Sequence, residues 1–178
     1  METDSILIKV KSYRAKPYLS TLSAHRYVAT PSSSDQESVS TLKTLPKNNW
    51  KATLSGDKGN GSLIIDNDPS TYWITEAESP VILIDLGGMQ SFDAMTYTPQ
   101  TAVAGQGMIS KGKLEYSTDG KNWKQAGVFE FGNLVNDPSP RTFYLPSTIE
   151  GAVIRITPLE IEGGDSRKAI AEIDLLSK

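Results

Sequence analysis

From about Pro46 to the C-terminus the chain is cut into short β-prone runs by turn residues, and no segment reads as an amphipathic helix of ordinary length. The runs are 81–86 (VILIDL), 92–98 (FDAMTYT), 113–118 (KLEYST), 122–129, 141–145, 152–157 (AVIRIT) and 170–176. Gly87-Gly88, Asp119-Gly120, Gly132-Asn133 and Gly163-Gly164 punctuate them. Asp119-Gly120, between Tyr116 and Trp123, is a strong hairpin signal, because a tight hairpin turn needs residues that tolerate positive φ. Short strands at such regular spacing predict an antiparallel all-β sandwich or jelly roll.

Size and composition narrow the rest. A chain of 178 residues holds one full domain and can bury a sound core. It has no cysteine, so its stability does not come from disulfides, and the compartment stays open. A net charge of -3 argues against nucleic-acid binding, which rests on basic patches. No apolar run approaches a membrane span. The first residues lack the basic start, apolar centre and small-residue exit of a signal peptide, so Met1 reads as a start placed inside a longer protein.

The front of the chain differs from the rest. Residues 5–13 (SILIKVKSY) alternate, with Ile6, Ile8 and Val10 on one face, and 18–28 hold a second strand candidate. Thr30 to Ser38 (TPSSSDQES) is a linker by composition. Two strands do not make a stable domain alone. The expected organisation is therefore a remnant of an upstream β-sandwich module at 1–29, a linker at 30–45 and the main domain at 46–178.

Within that domain, LIIDNDPSTYW (63–73) sets Asp66, Asp68 and Thr71 in a short turn between apolar runs. Oxygen side chains this close suit a hard cation such as calcium, which many oxygens hold at once. An Asx-type turn explains the same residues by local hydrogen bonding. An EF-hand is excluded, because Thr71 stands where that loop needs glycine and Ala77 where it needs its closing glutamate. If a cation binds, its other ligands come from elsewhere in the chain.

Three motifs together carry a family resemblance: IIDNDPSTYW (64–73), LEYSTDGKNW (114–123) and AIAEIDLL (169–176). Residues 46–178 resemble the discoidin domain, also called the factor V/VIII type C domain, whose bacterial branch is a carbohydrate-binding module. The resemblance implies a galactose-binding-like jelly-roll β-sandwich and a structural calcium ion. Its ligands would be the Leu63 carbonyl, oxygens of Asp66, Asp68 and Thr71, the Ala171 carbonyl and the Glu172 carboxylate. Such an ion would tie an early loop to the last strand. Upstream, ILIKVKSYRAKPYLSTLS (6–23) resembles the final strands of a small sandwich near the C-terminus of bacterial chitobiases (β-N-acetylhexosaminidases) and some α-fucosidases. That implies a glycoside-hydrolase parent that is periplasmic, at the cell surface or secreted, with glycan and the parent catalytic domain as partners.

The family's sugar-binding pattern is broken here. Ile74 replaces a histidine, Gln100 follows Pro99 where arginine is usual, and Gln106-Gly107 stands for Asn-Gly. GGDSRKAIAE lacks the aromatic platform that usually precedes the Ala-Glu pair. Losing a stacking platform worth about 1–3 kcal/mol weakens binding roughly tenfold to more than a hundredfold. Standard galactose recognition is therefore not expected. Glu76, Gln100, Gln106, Asp165 and Arg167 remain as candidate hydroxyl partners for another ligand, such as an N-acetyl sugar or a longer glycan.

No catalytic residue is assigned. The local acidic pairs Glu76/Glu78 and Glu160/Glu162 sit in loop-like sequence with nothing to place them across a cleft. His25, the sole histidine, lies outside 46–178. The expected function is a non-catalytic module that keeps a parent hydrolase on its glycan. One alternative is a spacer domain that has lost sugar binding. Another is lipid binding, hinted at only by Met108-Ile109 near Lys111 and Lys113 and opposed by the acidic balance. Trp73 and Trp123 are expected in the core, and Trp50 reads either way.

Overall fold

The computed structural model describes residues 42–55, 59–102, 106–163 and 166–178. The expectations for the two front strands, for His25 and for residues 1–41 generally lie outside the described residues, as does Asp165. Nine strands make up the described fold: β1 (Lys43–Thr44), β2 (Lys51–Ser55), β3 (Trp73–Thr75), β4 (Val81–Thr98), β5 (Met108–Ser117), β6 (Lys124–Glu130), β7 (Arg141–Glu162), β8 (Lys168–Ile170) and β9 (Glu172–Ser177). A 3-10 turn, Gly61–Ile64, is the only helical piece among the described residues. Hydrogen bonding runs β1-β9-β4-β7-β5-β8-β3, with β2 on β4 and β6 on β5. Neighbours are antiparallel except β5 and β8, which meet in parallel at Met108 and Ala169. The sheet begins at Lys43, three residues ahead of the boundary read from composition.

Two strands are longer than the sequence pattern suggests. The runs 81–86 and 92–98 are one strand, β4, bent where Gly87 (φ 73°) and Gly88 (φ 150°) take backbone conformations closed to most residues. The β4–β7 register shifts there, between Asp85 and Gln90. Likewise 141–145 and 152–157 both lie within β7. Turn residues inside a strand thus bend it rather than end it, and a continuous bent strand lets one sheet curl over its own core. The run 170–176 is instead divided at Ala171 into β8 and β9. β2 and β3 were not visible as strands, being short and bounded by polar loops.

The core follows from alternation on these strands. Ile82, Ile84, Leu86 and Phe92 point inward along β4. A second register shift, between Phe92 and Ala94, then passes the buried side to the other parity, so that Met95 and Tyr97 are buried. Tyr97, Phe131, Phe129 and Phe143 form a ladder of rings with centroids 6.0, 5.0 and 6.2 Å apart. Gly112 is required beneath it, since a Cβ there would fall 2.3 Å from the Phe129 ring.

Tyr97 also carries the one buried hydroxyl that joins three strands. It accepts from the Ile109 amide (3.0 Å) and donates to the Ala169 carbonyl (3.0 Å), linking β4, β5 and β8. Burial pushes its phenol well above the usual tyrosine range, although the Ile109 amide pulls the other way. On the outer face Arg155 lies over the Trp123 ring at 4.3 Å and donates to Glu115 at 2.8 Å, with Lys113 at 3.2 Å from the same carboxylate. Trp123 is therefore a half-buried outer-face residue rather than the core residue expected of it. The hairpin explains this: Tyr116 pairs with Lys124, which leaves Trp123 on the face of Glu115 and Arg155.

Two outcomes follow. Tyr97→Phe leaves the Ile109 amide and the Ala169 carbonyl without their shared partner, and equilibrium urea unfolding should show a loss of about 1–3 kcal/mol with an unchanged m-value. The Arg155 guanidinium, ahead of the lesser Lys113 contacts, holds the Glu115 carboxyl below its ordinary value of 4.5. Its folded pKa being depressed, the pair's stability is present above pH 4.5 and declines as pH falls through the lower folded value. Thermal unfolding between pH 6 and 3 (about the carboxylate titration range) should therefore decline less steeply in Arg155→Met than in the parent.

Candidate functional site

The turn after the 3-10 segment is built by its own side chains. Asp66 Oδ1 accepts from the Asp68 amide at 2.9 Å, and Asp68 Oδ1 accepts from the Ser70 amide at 2.9 Å and hydroxyl at 2.6 Å. These are Asx turns, and Asn67 between them sits at φ 63°, a conformation asparagine tolerates. The Ser70 hydroxyl and amide hold the Asp68 carboxyl below its usual range. The local reading of this turn is therefore correct as far as it goes.

Oxygens nevertheless gather here in excess of the hydrogens available. The Thr71 hydroxyl lies 3.3 Å from the Leu63 carbonyl, 2.8 Å from Asp66 Oδ2 and 3.0 Å from the Asp68 carbonyl. A hydroxyl has one hydrogen to donate. The Thr71 amide serves the Asp68 carbonyl at 3.1 Å, so the single hydroxyl hydrogen leaves one of the other two oxygens, the Leu63 carbonyl or Asp66 Oδ2, without a proton from Thr71. Glu172, at the start of β9, is only 4% exposed, and its Oε2 is buried with no hydrogen-bond partner. Burial pushes the Glu172 carboxyl up; the Lys47 ammonium opposes this, and the charges of Asp174 and Asp66 add to it.

The buried, unpartnered Glu172 Oε2 and the oxygens crowded at Leu63, Asp66 and Thr71 suit the chemistry of a hard cation, whereas Asp68 Oδ1 is engaged with Ser70 and the Ala171 amide donates to the Thr98 carbonyl at 3.0 Å. Among the described residues no three acidic or histidine side chains cluster tightly enough to hold a metal by themselves. The set depends on its carbonyl and hydroxyl members. Sequence reasoning missed Lys47, whose side chain is 2% exposed and pairs with Glu172 and with Asp174 (2.6 Å). Its only trace in the sequence is a lysine flanked by Leu45, Pro46 and Trp50 at the start of the domain.

The described ligand candidates Gln100, Gln106 and Arg167 lie where β4 passes to β5 and β7 to β8, and Glu76 just follows β3. Three of them meet. Gln100, fully buried, donates from Nε2 to the Gln106 carbonyl at 2.8 Å, and Arg167 donates to the Gln106 side-chain oxygen. The pair Thr75–Lys168 puts Glu76, which is exposed, one register step from Arg167, and Lys168 donates to the Ala77 carbonyl at 2.8 Å. Glu78, Leu159, Glu160, Ser166 and Lys168 line a shallow cleft of about 250 Å³ beside them. The other acidic side chains of this region have structural partners. Glu160 accepts from Lys111 at 3.0 Å, and Glu162 accepts from the Leu134 amide at 2.9 Å. Among the described residues the large exposed aromatic is Tyr144, on β7 opposite Ala94.

The family model for the F5/8 type C domain matches residues 43–173. A sialidase from Micromonospora viridifaciens is 27% identical over 126 residues, which is 67% of this chain and 19% of that protein. The chain thus spans about a fifth of the length of that relative. Among solved structures, CpGH89CBM32-5 from Clostridium perfringens, in complex with GalNAc-β-1,3-galactose, superposes with a TM-score of 0.65 at 25% identity, covering 76% of this chain and 100% of that one. The family 32 carbohydrate-binding module of C. perfringens NanJ, in complex with galactose, gives 0.66 at 20% identity, covering 76% and 99%. The C-terminal domain of a chitobiase from Bacteroides fragilis gives 0.62 at 21% identity, covering 76% and 100%. The family model spans well over half of the sequence and the β fold agrees with it, so the chain belongs to the F5/8 type C (discoidin) domain family.

Proposed function

We propose that this domain is a non-catalytic carbohydrate-binding module that holds a bacterial glycoside hydrolase, of chitobiase or hexosaminidase type, to its glycan. The observation that carries the reading is the meeting of Gln100, Gln106 and Arg167 where β4 passes to β5 and β7 to β8. Gln106 and Arg167 present hydrogen-bonding groups, with the exposed Glu76 following the Thr75–Lys168 pair, the mixed donors and acceptors a neutral sugar requires. Sugar ligands in the solved relatives CpGH89CBM32-5 and NanJ support the class of ligand. Leu159, 52% exposed beside the cleft, offers an apolar contact for a sugar's C–H face where the family's aromatic platform is missing. Attachment to a parent enzyme raises local substrate concentration even when each contact is weak. Such a parent works outside the cytoplasm, in the periplasm, on the cell surface or after secretion.

A structural calcium ion completes this reading, held by Leu63, Asp66, Asp68, Thr71, Ala171 and Glu172. When bound it would neutralise their charge and join the early loop to β9. The residues themselves keep the turn closed through the Asx bonds and bury the Glu172 carboxylate at the strand start.

A second reading, a spacer without sugar affinity, is favoured by the burial of Gln100 and by the engagement of Arg167 with Gln106. A glycan array probed in calcium decides between them, and silence across every glycan leaves the spacer. Under the binding reading, Arg167→Ala should weaken the best glycan at least about tenfold, while its thermal midpoint stays within a few degrees. Gln100→Ala should behave oppositely, losing about 1–3 kcal/mol of stability in urea because a buried brace is removed. Stripping calcium with EDTA should lower the midpoint by roughly 5–10 °C relative to protein at 100-fold excess over Kd.

A further inference from the structure

Lys47 is the one lysine recorded as buried among the described residues, and its position is unusual for a purely structural ion pair. It lies in the turn between β1 and β2, with its ammonium against Glu172 Oε1, 2.6 Å from Asp174 Oδ1 and 5.9 Å from the centroid of the Trp50 ring. An ammonium this deeply desolvated needs full compensation, and one acidic partner would supply it. Here two carboxylates contact it and the charge of Asp66 reaches the same glutamate. Two carboxylates against one ammonium leave a negative charge unmatched at the start of β9. The division of Glu172 is equally specific. Oε1 is taken by the lysine, and Oε2 is buried and unpartnered.

We propose that Lys47 is a resident cation that shares Glu172 with the divalent ion: the ammonium keeps Oε1, the ion takes Oε2, and without the ion the lysine alone keeps β9 docked against the early loop. The proposal rests on the calcium reading above. It makes two opposed statements about energy. The lysine lowers the site's affinity for calcium, since like charges a few ångströms apart repel strongly at an effective dielectric near 20. It also makes the fold tolerant of calcium loss, because the buried carboxylate is never left without a counter-charge.

The test uses the whole chain stripped of metal, with Lys47→Gln to remove the charge and Lys47→Arg to keep it. Calcium affinity is measured by titration calorimetry, and thermal midpoints are measured in saturating calcium and in EDTA. Lys47→Gln should bind calcium at least about tenfold more tightly than the parent, and the gap between its loaded and stripped midpoints should widen. Lys47→Arg should stay within about threefold of the parent. A Lys47→Gln protein that folds in calcium and not in EDTA is the extreme form of the expected result. One that binds calcium with parental or weaker affinity overturns the sharing while leaving the calcium reading intact. One that is unfolded even in saturating calcium also overturns it, because the lysine would then be a packing residue. If the parent is silent and Lys47→Gln binds, the lysine excludes the ion instead of sharing Glu172 with it, which overturns the sharing and corrects the calcium reading for the parent. Silence of both proteins defeats the two ideas together.

Discussion

A carboxylate buried at the start of the last strand is the constraint around which this domain is arranged. Glu172 cannot lie at 4% exposure without opposite charge nearby, because desolvating an unpaired ion costs several kcal/mol. The counter-charge must come from elements distant in sequence, since β9 itself offers only the like-charged Asp174. Lys47 arrives from the first turn of the domain and the oxygen-rich loop after the 3-10 segment faces the same region. A local electrostatic need is thereby turned into a long-range tie between the two ends of the domain. With no cysteine in the chain, that tie does work that a disulfide does in other small β domains.

The remaining cohesion is apolar and equally non-local. β4 and β7 run side by side through two bends, so each contributes to both halves of the sandwich. Tyr97 then fastens β5 and β8 to β4 with a single hydroxyl. Tyr97 stands three residues ahead of Gln100, and its partner Ile109 three residues after Gln106, so the contact anchors both ends of that connection. A rigid floor under a set of loops is what precise recognition requires, because loose supports lose affinity to ordering costs.

Much of this was legible in the residues. VILIDL and AVIRIT were readable as strands, and Asp119-Gly120 marked the hairpin, where Asp119 does accept from the Lys121 and Asn122 amides at 2.8 Å. The motif order identified the fold family. Strand continuity was not legible, because Gly87-Gly88 signals a break whether the chain turns back or merely bends. Trp123 was misjudged for a related reason. An aromatic in a strand motif looks like core until register shows which face it occupies, and here that face holds Arg155. Lys47 left no periodic trace at all, since a lone buried cation is recognised only by the partners that tertiary structure brings to it. Gln100 and Arg167 were legible as polar loop residues, but their engagement with Gln106 belongs to the three-dimensional arrangement alone.

The pairing of β1 with β9, Lys43 opposite Ser177, has a consequence for how such a domain is carried. Thr98 pairs with Glu172 near the candidate ligand loops, so the far end of β9 points away from them, where the Lys178 amide donates to Asp93 at 3.0 Å. The polypeptide therefore comes in and goes out through neighbouring doors on one side of the building, with the windows on the other. A pull applied at both of these ends would load the Lys43–Ser177 and Thr44–Leu176 pairs first, as a zip is opened from its end, so β1 is the strand such a force would peel away.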